Sequence, residues 1–171
     1  METLAFLLSI AGTILVCLPS LLKGKRMNAI LILLCLANTF TAISYALTGA
    51  WNGAASCAIG AVQTIINYNF ERKDKPLPKW MIGLYAAAFI LVNVLVFSHF
   101  SDILAILACL VYIGCVGQKN GKTYRLWTSA NAILWILYDV TSGSYGPIVT
   151  HSALLLLSLA GMFLHDRKEK S

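Results

Sequence analysis

The residues best suited to chemistry in this sequence are polar side chains that occur twice within apolar segments. Asn38 and Tyr45 stand seven residues apart, and Asn131 and Tyr138 repeat the pair at the same spacing. Seven residues are two helical turns, so each pair lies on one face of a helix. Amides exchange hydrogen bonds with polar ligands, and aromatic rings wall small-molecule sites. The pattern predicts a binding site for a small polar solute, to which each pair contributes an amide and a ring.

Two more residues are predicted to line this site. Trp135 stands one turn from Asn131, and its flat ring suits stacking on a sugar or a base. Gln63 belongs to the polar stripe of another apolar segment. All six residues have a structural alternative, because amides often bridge membrane helices, while Tyr and Trp often face lipid or the membrane surface. The sequence leaves both interpretations open.

The ionisable residues bear on energy coupling. Asp139 falls near the end of an apolar segment and is interpreted as an interfacial carboxylate, with a proton site as the alternative. His151 could pair with it across a hairpin. No carboxylate falls at the middle of a segment, so movement of a solute down its own gradient is the simpler mechanism. Hydrolase, metalloprotease and phosphate-loop motifs are missing from the sequence, which predicts no enzyme, no cofactor and no metal site.

The elements that position these residues are indicated by composition. The chain is 58% hydrophobic and 12% charged, about half the charge of a soluble domain, and its mean hydropathy is +0.76. Such a chain is typical of an all-α membrane protein. Seven apolar runs approach the length of about 20 residues that crosses a bilayer: 4–22, 27–48, 53–70, 80–98, 102–118, 125–142 and 146–165. The five cysteines lie within these runs and are interpreted as free thiols.

The distribution of charge tests the number of spans. With seven spans, all 13 Lys and Arg fall on one side of the membrane, in the segments 23–26, 71–79, 119–125 and 166–171. The positive-inside rule then places the N-terminus outside and the C-terminus in the cytoplasm. The basic charge is therefore attributed to topology and to contact with anionic membrane lipid, and no nucleic-acid partner is expected.

The sequence similarity between the two halves predicts an internal repeat. The Asn and Tyr of the first half match those of the second at a constant offset. After a one-residue insertion the match continues, with Gly49 opposite Gly143 and Trp51 opposite Tyr145. We interpret the chain as one membrane domain with a three-helix repeat in 1–75, a linker helix in 80–98 and a second repeat in 102–171. Because a single helix joins the repeats, both enter the membrane from the same side and are parallel.

This plan resembles the SWEET and SemiSWEET transporters and the related PnuC vitamin transporters. The Pro in "CLPSLLKGK" is similar to the Pro of their first helices, whereas "ILAILACLVYIGCVGQ" lacks one. A resemblance over nearly the whole chain is to the YgjV family of bacterial inner-membrane proteins, in "GAWNGAAS" and "LWTSANAILWILYDVTSGSYG". The first resemblance implies a carrier of a neutral polar metabolite that works by rocking of two halves, and the second implies a location in the bacterial inner membrane. A non-transporting receptor or assembly protein is the alternative, and a homo-oligomer is compatible with either.

Overall fold

Seven α-helices make up the chain in a computed structural model that describes residues 2–21, 27–75, 77–116 and 121–165, and no strand occurs in these ranges. They are α1 (Glu2–Leu21), α2 (Met27–Thr48), α3 (Trp51–Glu71), α4 (Lys79–Leu95), α5 (Asp102–Val116), α6 (Gly121–Ser142) and α7 (Tyr145–His165). The predicted seven helices and the all-α fold are confirmed at this level. The basic segments at 23–26 and 166–171, and the first two residues of the segment 119–125, lie outside the described residues.

Two glycine turns separate α2 from α3 and α6 from α7. Gly49 and Gly143 both have positive φ, at 80° and 70°, a conformation that glycine adopts at little cost. Each turn closes its helix with the paired backbone bonds of a Schellman motif: the glycine N–H donates to a carbonyl three residues back, and the next N–H donates five residues back. The turns are shorter than predicted, because α3 already begins at Trp51 and α7 at Tyr145.

The helices contact one another in a closed ring. Around the ring the order is α1, α2, α3, α5, α6 and α7, and α7 returns to α1. Helix α4 packs against α3 and α5 alone among the described elements, and α2 also contacts α7. The two glycine turns lie at one end of this ring, which we call the glycine-turn end.

The interior of the ring has an unusual composition. Among the side chains that the structure describes, no Leu, Ile or Val is buried, whereas many lie exposed on the outside. Apart from Met81, the buried residues in the described ranges are small, polar or aromatic. In water, such a distribution would leave the large apolar side chains exposed and gain little from the hydrophobic effect. In lipid, the packing of small residues and interhelical hydrogen bonds hold helices together.

Among the described residues, length and composition alone identify two helices that could cross a membrane, at Leu31–Thr48 and Tyr145–Phe163. Shorter apolar helices occur at Glu2–Leu18, Lys79–Leu95 and Asp102–Gly114. The described part of α5 has 15 residues, which rise about 22 Å, whereas the hydrocarbon core is roughly 30 Å thick. The number of spans therefore stays a prediction.

Candidate functional site

A polar and aromatic cluster lies inside the ring near the glycine-turn end. Helix α6 contributes Trp135, Tyr138 and Asp139, whose spacing of three and four residues places them on one helical face. Helix α2 contributes Tyr45 and α7 contributes His151. Each of the five residues is more than nine-tenths buried. His151 is six residues into α7, or about 9 Å along its axis. We call these five residues the Asp–His cluster.

Asp139 is the hydrogen-bond acceptor at the centre of the Asp–His cluster. Its Oδ1 accepts a hydrogen bond from the Tyr45 hydroxyl. Its Oδ2 lies 2.7 Å from Nδ1 of His151. Both carboxylate oxygens are therefore engaged, one by each half of the chain's sequence. A fully buried carboxylate needs such partners, because desolvation strongly disfavours an isolated charge.

The three aromatic rings pack on one another and on the histidine. The Tyr45 ring centroid lies 6.1 Å from that of Trp135 and 6.0 Å from that of Tyr138. Trp135 meets Tyr138 edge-on at 5.6 Å. The imidazole of His151 stacks on Trp135, with 5.4 Å between centroids and 11° between planes. The indole face therefore covers the ring that faces Asp139.

Helix α3 approaches the Asp–His cluster through a glycine. The Gly53 backbone N–H donates to the Tyr138 hydroxyl across 3.0 Å. A methyl group on Gly53 would stand 2.8 Å from ring carbons of Tyr45. One turn of α3 thus touches both tyrosines, and only a residue without a Cβ fits there.

The predicted pairing of Asp139 with His151 is confirmed. Asp139 is fully buried within the protein and is not exposed at the end of its helix. Helices α2 and α7 cover it, which its position near the end of α6 does not reveal. Trp135 is also buried rather than lipid-facing. Of the predicted solute-binding residues, the structure brings together Tyr45, Tyr138 and Trp135.

The amide residues lie deeper in the ring and have separate neighbours. Asn131 donates through Nδ2 to the Ala108 carbonyl of α5 across 2.6 Å, the interhelical bond that the structural alternative expects. Asn38 faces α3, where a methyl group on Gly60 would be 3.3 Å from its Nδ2. Gln63 is buried on α3, and its Oε1 has no hydrogen-bond partner among the described residues. These neighbours lie outside the Asp–His cluster, and the role of the amides toward a solute stays a prediction.

A second polar seam, between α3 and α4, was missed by the sequence reasoning. Asn93 of α4 is fully buried, and its amide bonds to the Ser56 hydroxyl at 2.9 Å. Asn52 donates to the Val96 carbonyl, and the Tyr85 hydroxyl donates to Asn67. The Asn at the interior of an otherwise apolar α4 was the available sign, because an isolated amide in such a run needs a partner.

A third seam joins α1 to α2 and α7 through hydroxyl groups. The hydroxyl oxygens of Ser9 and Ser44 lie 2.7 Å apart, and those of Thr13 and Thr150 lie 2.6 Å apart. Ser44 also donates to the Ala5 carbonyl. Small hydroxyl residues let helices approach closely and bridge them. These contacts bind α1 to both neighbours in the ring and so close it.

Among the described residues no group of three His, Cys, Asp or Glu side chains could hold a metal ion. The Asp–His cluster offers one carboxylate and one imidazole, fewer than the three protein ligands of a usual catalytic zinc site. Its chemistry is that of hydrogen bonding, aromatic stacking and proton exchange.

A polar interior inside an apolar exterior of helices defines the class of helical membrane proteins. Comparison with known families gives the particular group. The chain belongs to the YgjV family of bacterial inner membrane proteins, whose family model matches residues 4–169. No curated protein and no solved structure matches the chain.

Proposed function

We propose that this protein is a multi-pass carrier of a small neutral polar solute in the bacterial inner membrane. It has seven spans, with the N-terminus outside and the C-terminus in the cytoplasm. Residues 1–75 and 102–171 are its two halves, which rock against each other around a solute bound at the Asp–His cluster. Sugar-like, nucleoside-like and vitamin-like compounds are the substrate classes that hydrogen bonds and aromatic rings suit best.

The observation that carries this proposal is the composition of the contact between the halves. Tyr45 belongs to the first half and Asp139 to the second, and their hydrogen bond spans the interface. The hydrogen bond from the Gly53 N–H to the Tyr138 hydroxyl also spans this interface, and its donor again belongs to the first half. When the halves separate, these donors and acceptors can form hydrogen bonds with a polar solute instead of with each other. Buried ionisable residues within membrane helices commonly mark solute and ion pathways.

The helix contacts also support two related halves. In the ring, α3 contacts α5 and α7 contacts α1. These are the two junctions that a twofold arrangement of parallel repeats requires, with α4 outside the pairing. The glycine turns close α2 and α6 with the same backbone bonds.

A non-transporting scaffold is the alternative, and one observation favours it. Within the Asp–His cluster, both carboxylate oxygens and both tyrosine hydroxyls have partners inside the protein. A satisfied polar network fixes a unique packing without any ligand.

Uptake into proteoliposomes tests the proposal. Purified protein is first screened for thermal stabilisation against sugars, nucleosides and vitamins, and stabilising compounds are then supplied in radiolabelled form. Tyr45→Phe removes one hydroxyl from the Asp–His cluster and is expected to reduce uptake, because a hydrogen bond to a charged group contributes about 1.5–3 kcal/mol. Tyr145→Phe makes the same change on an exposed ring and should retain uptake. If no compound stabilises the protein or enters the vesicles, the scaffold interpretation replaces the carrier.

A further inference from the structure

Asp139 is a buried carboxylate whose charge needs a counterion. The titratable groups that face it are Tyr45 from α2, Cys57 from α3, Tyr138 from its own helix and His151 from α7. From α5, Cys109 packs in the same core and Asp102 acts on Tyr138. Among these groups only His151 can carry a positive charge.

Charge balance therefore depends on a single proton. With a neutral His151, the cluster would hold one uncompensated negative charge in a dry interior, which is strongly unfavourable. With one proton shared by Asp139 and His151, the cluster is neutral as a whole. The geometry fits this state, because 2.7 Å is the length of a charge-assisted bond between nitrogen and a carboxylate oxygen.

The aromatic contact points the same way. Trp135 lies parallel to the imidazole of His151 at 5.4 Å, and the face of an indole attracts a cation within about 6 Å. Asp139 on one side and Trp135 on another thus both favour imidazolium. We propose that the Asp–His cluster is a binding site for one proton, which His151 takes up at Nε2 while its Nδ1–H remains bonded to Asp139.

Proton exchange at this site is balanced without any other reactant. On uptake, hydronium donates a proton to the Nε2 lone pair and becomes water, and on release the N–H bond breaks and water accepts the proton to become hydronium. This inference rests on the proposed function for its consequence, which is that opening of the carrier hydrates the pair and releases its proton. The carrier would then be driven by the proton gradient rather than by the solute gradient alone.

Trp135 itself reports on the proton. Protonated imidazole quenches the fluorescence of an indole in contact with it, whereas neutral imidazole quenches it weakly. In a variant that carries Trp51→Phe, Trp80→Phe and Trp127→Phe, emission comes from Trp135 alone. We expect emission to be low at about pH 7 and to rise by about twofold or more as the pH is raised from about 7 to 10, because Asp139 and Trp135 both hold the proton and it is removed only under alkaline conditions. Circular dichroism at each pH establishes that the protein stays folded.

Two matched variants assign the change. His151→Asn keeps an amide donor for Asp139 but does not titrate, and should abolish the pH-dependent step. His99→Asn alters an exposed loop histidine and should preserve it. A step that persists in folded His151→Asn protein, or emission that is independent of pH in the parent, would overturn the proton site. If His151→Asn does not fold, nuclear magnetic resonance of labelled histidine in the parent decides instead: a His151 ring that shows no protonation in that pH range overturns it.

The consequence for transport is measured separately. Uptake by proteoliposomes is compared with and without an imposed pH gradient, and a change of several-fold is expected. Uptake at the same rate with and without the pH gradient would refute coupling while leaving the proton site intact. A fluorescence step without any uptake would refute the carrier and leave the proton site in place.

Discussion

Replacement of Gly53 by alanine tests the packing on which the Asp–His cluster depends. The added methyl group would lie 2.8 Å from Cγ and Cδ1 of Tyr45, well inside contact distance. The ring cannot swing away, because its hydroxyl is bonded to Asp139 and the ring packs on Trp135 and Tyr138. Overpacking of this kind costs about 1–3 kcal/mol.

Gly83→Ala is the matched control, because a methyl group there meets nothing within 4 Å. Both substitutions lie inside helices and gain about 1 kcal/mol of helix propensity, so the difference between them isolates the clash. For a chain of this size 1 kcal/mol shifts the melting temperature by about 2–4 °C. We therefore expect the Gly53 variant to melt about 2–12 °C below the Gly83 variant in the same detergent.

A double-mutant cycle with Tyr45→Ala locates the cause. Once the ring is removed, the Gly53 substitution should behave like the Gly83 substitution, because nothing remains for the methyl group to strike. Equal melting temperatures of the two glycine variants would refute the packing argument. So would a Gly53 penalty of the same size with and without the Tyr45 ring.

Three further predictions concern the amides, the buried pair and the topology. Asn131→Leu should lower the melting temperature through loss of an interhelical bond of about 0.6 kcal/mol, and unchanged solute affinity in the same variant would contradict the predicted binding role of this amide. His151→Leu should cost about 3–5 kcal/mol in thermal unfolding, because a buried carboxylate loses its imidazole partner, and adding Asp139→Leu should recover part of that cost. If the double variant is the less stable one, the charge argument fails. In a background without native cysteines, an impermeant maleimide added outside cells should label Phe100→Cys and spare Lys75→Cys, and the opposite pattern would invert the orientation.

Much of the helical layout could be predicted from local features of the sequence. Apolar runs set the helices, and Gly49 and Gly143 end α2 and α6 because they supply the left-handed conformation that these caps need. The matching of Tyr45 with Tyr138 also anticipated that these rings meet. Helix ends were less accurate where composition changes gradually, as in α6, which begins four residues before its apolar run.

The burial of Asp139 and the seam at Asn93 could not be predicted in the same way. Whether a residue near a helix end is exposed depends on what neighbouring helices place over it, and that is a property of tertiary packing. The partner of Asn93 is Ser56, 37 residues away on α3, and periodicity within α4 carries no information about it. Similarly, the contact of Asn131 with the Ala108 carbonyl involves a backbone group that every residue possesses.

The two glycine turns cap their helices in the same way, but they lead into different residues. Four residues after Gly49 stands Gly53, whose N–H meets the Tyr138 hydroxyl, and four residues after Gly143 stands Pro147, which has no N–H to offer. The Tyr45 hydroxyl instead donates to Asp139. A homodimer built from either half alone would hold two carboxylates or none at its centre, and two buried carboxylates in contact repel one another. A centre with a single carboxylate thus requires two different halves, and one polypeptide supplies them in equal number.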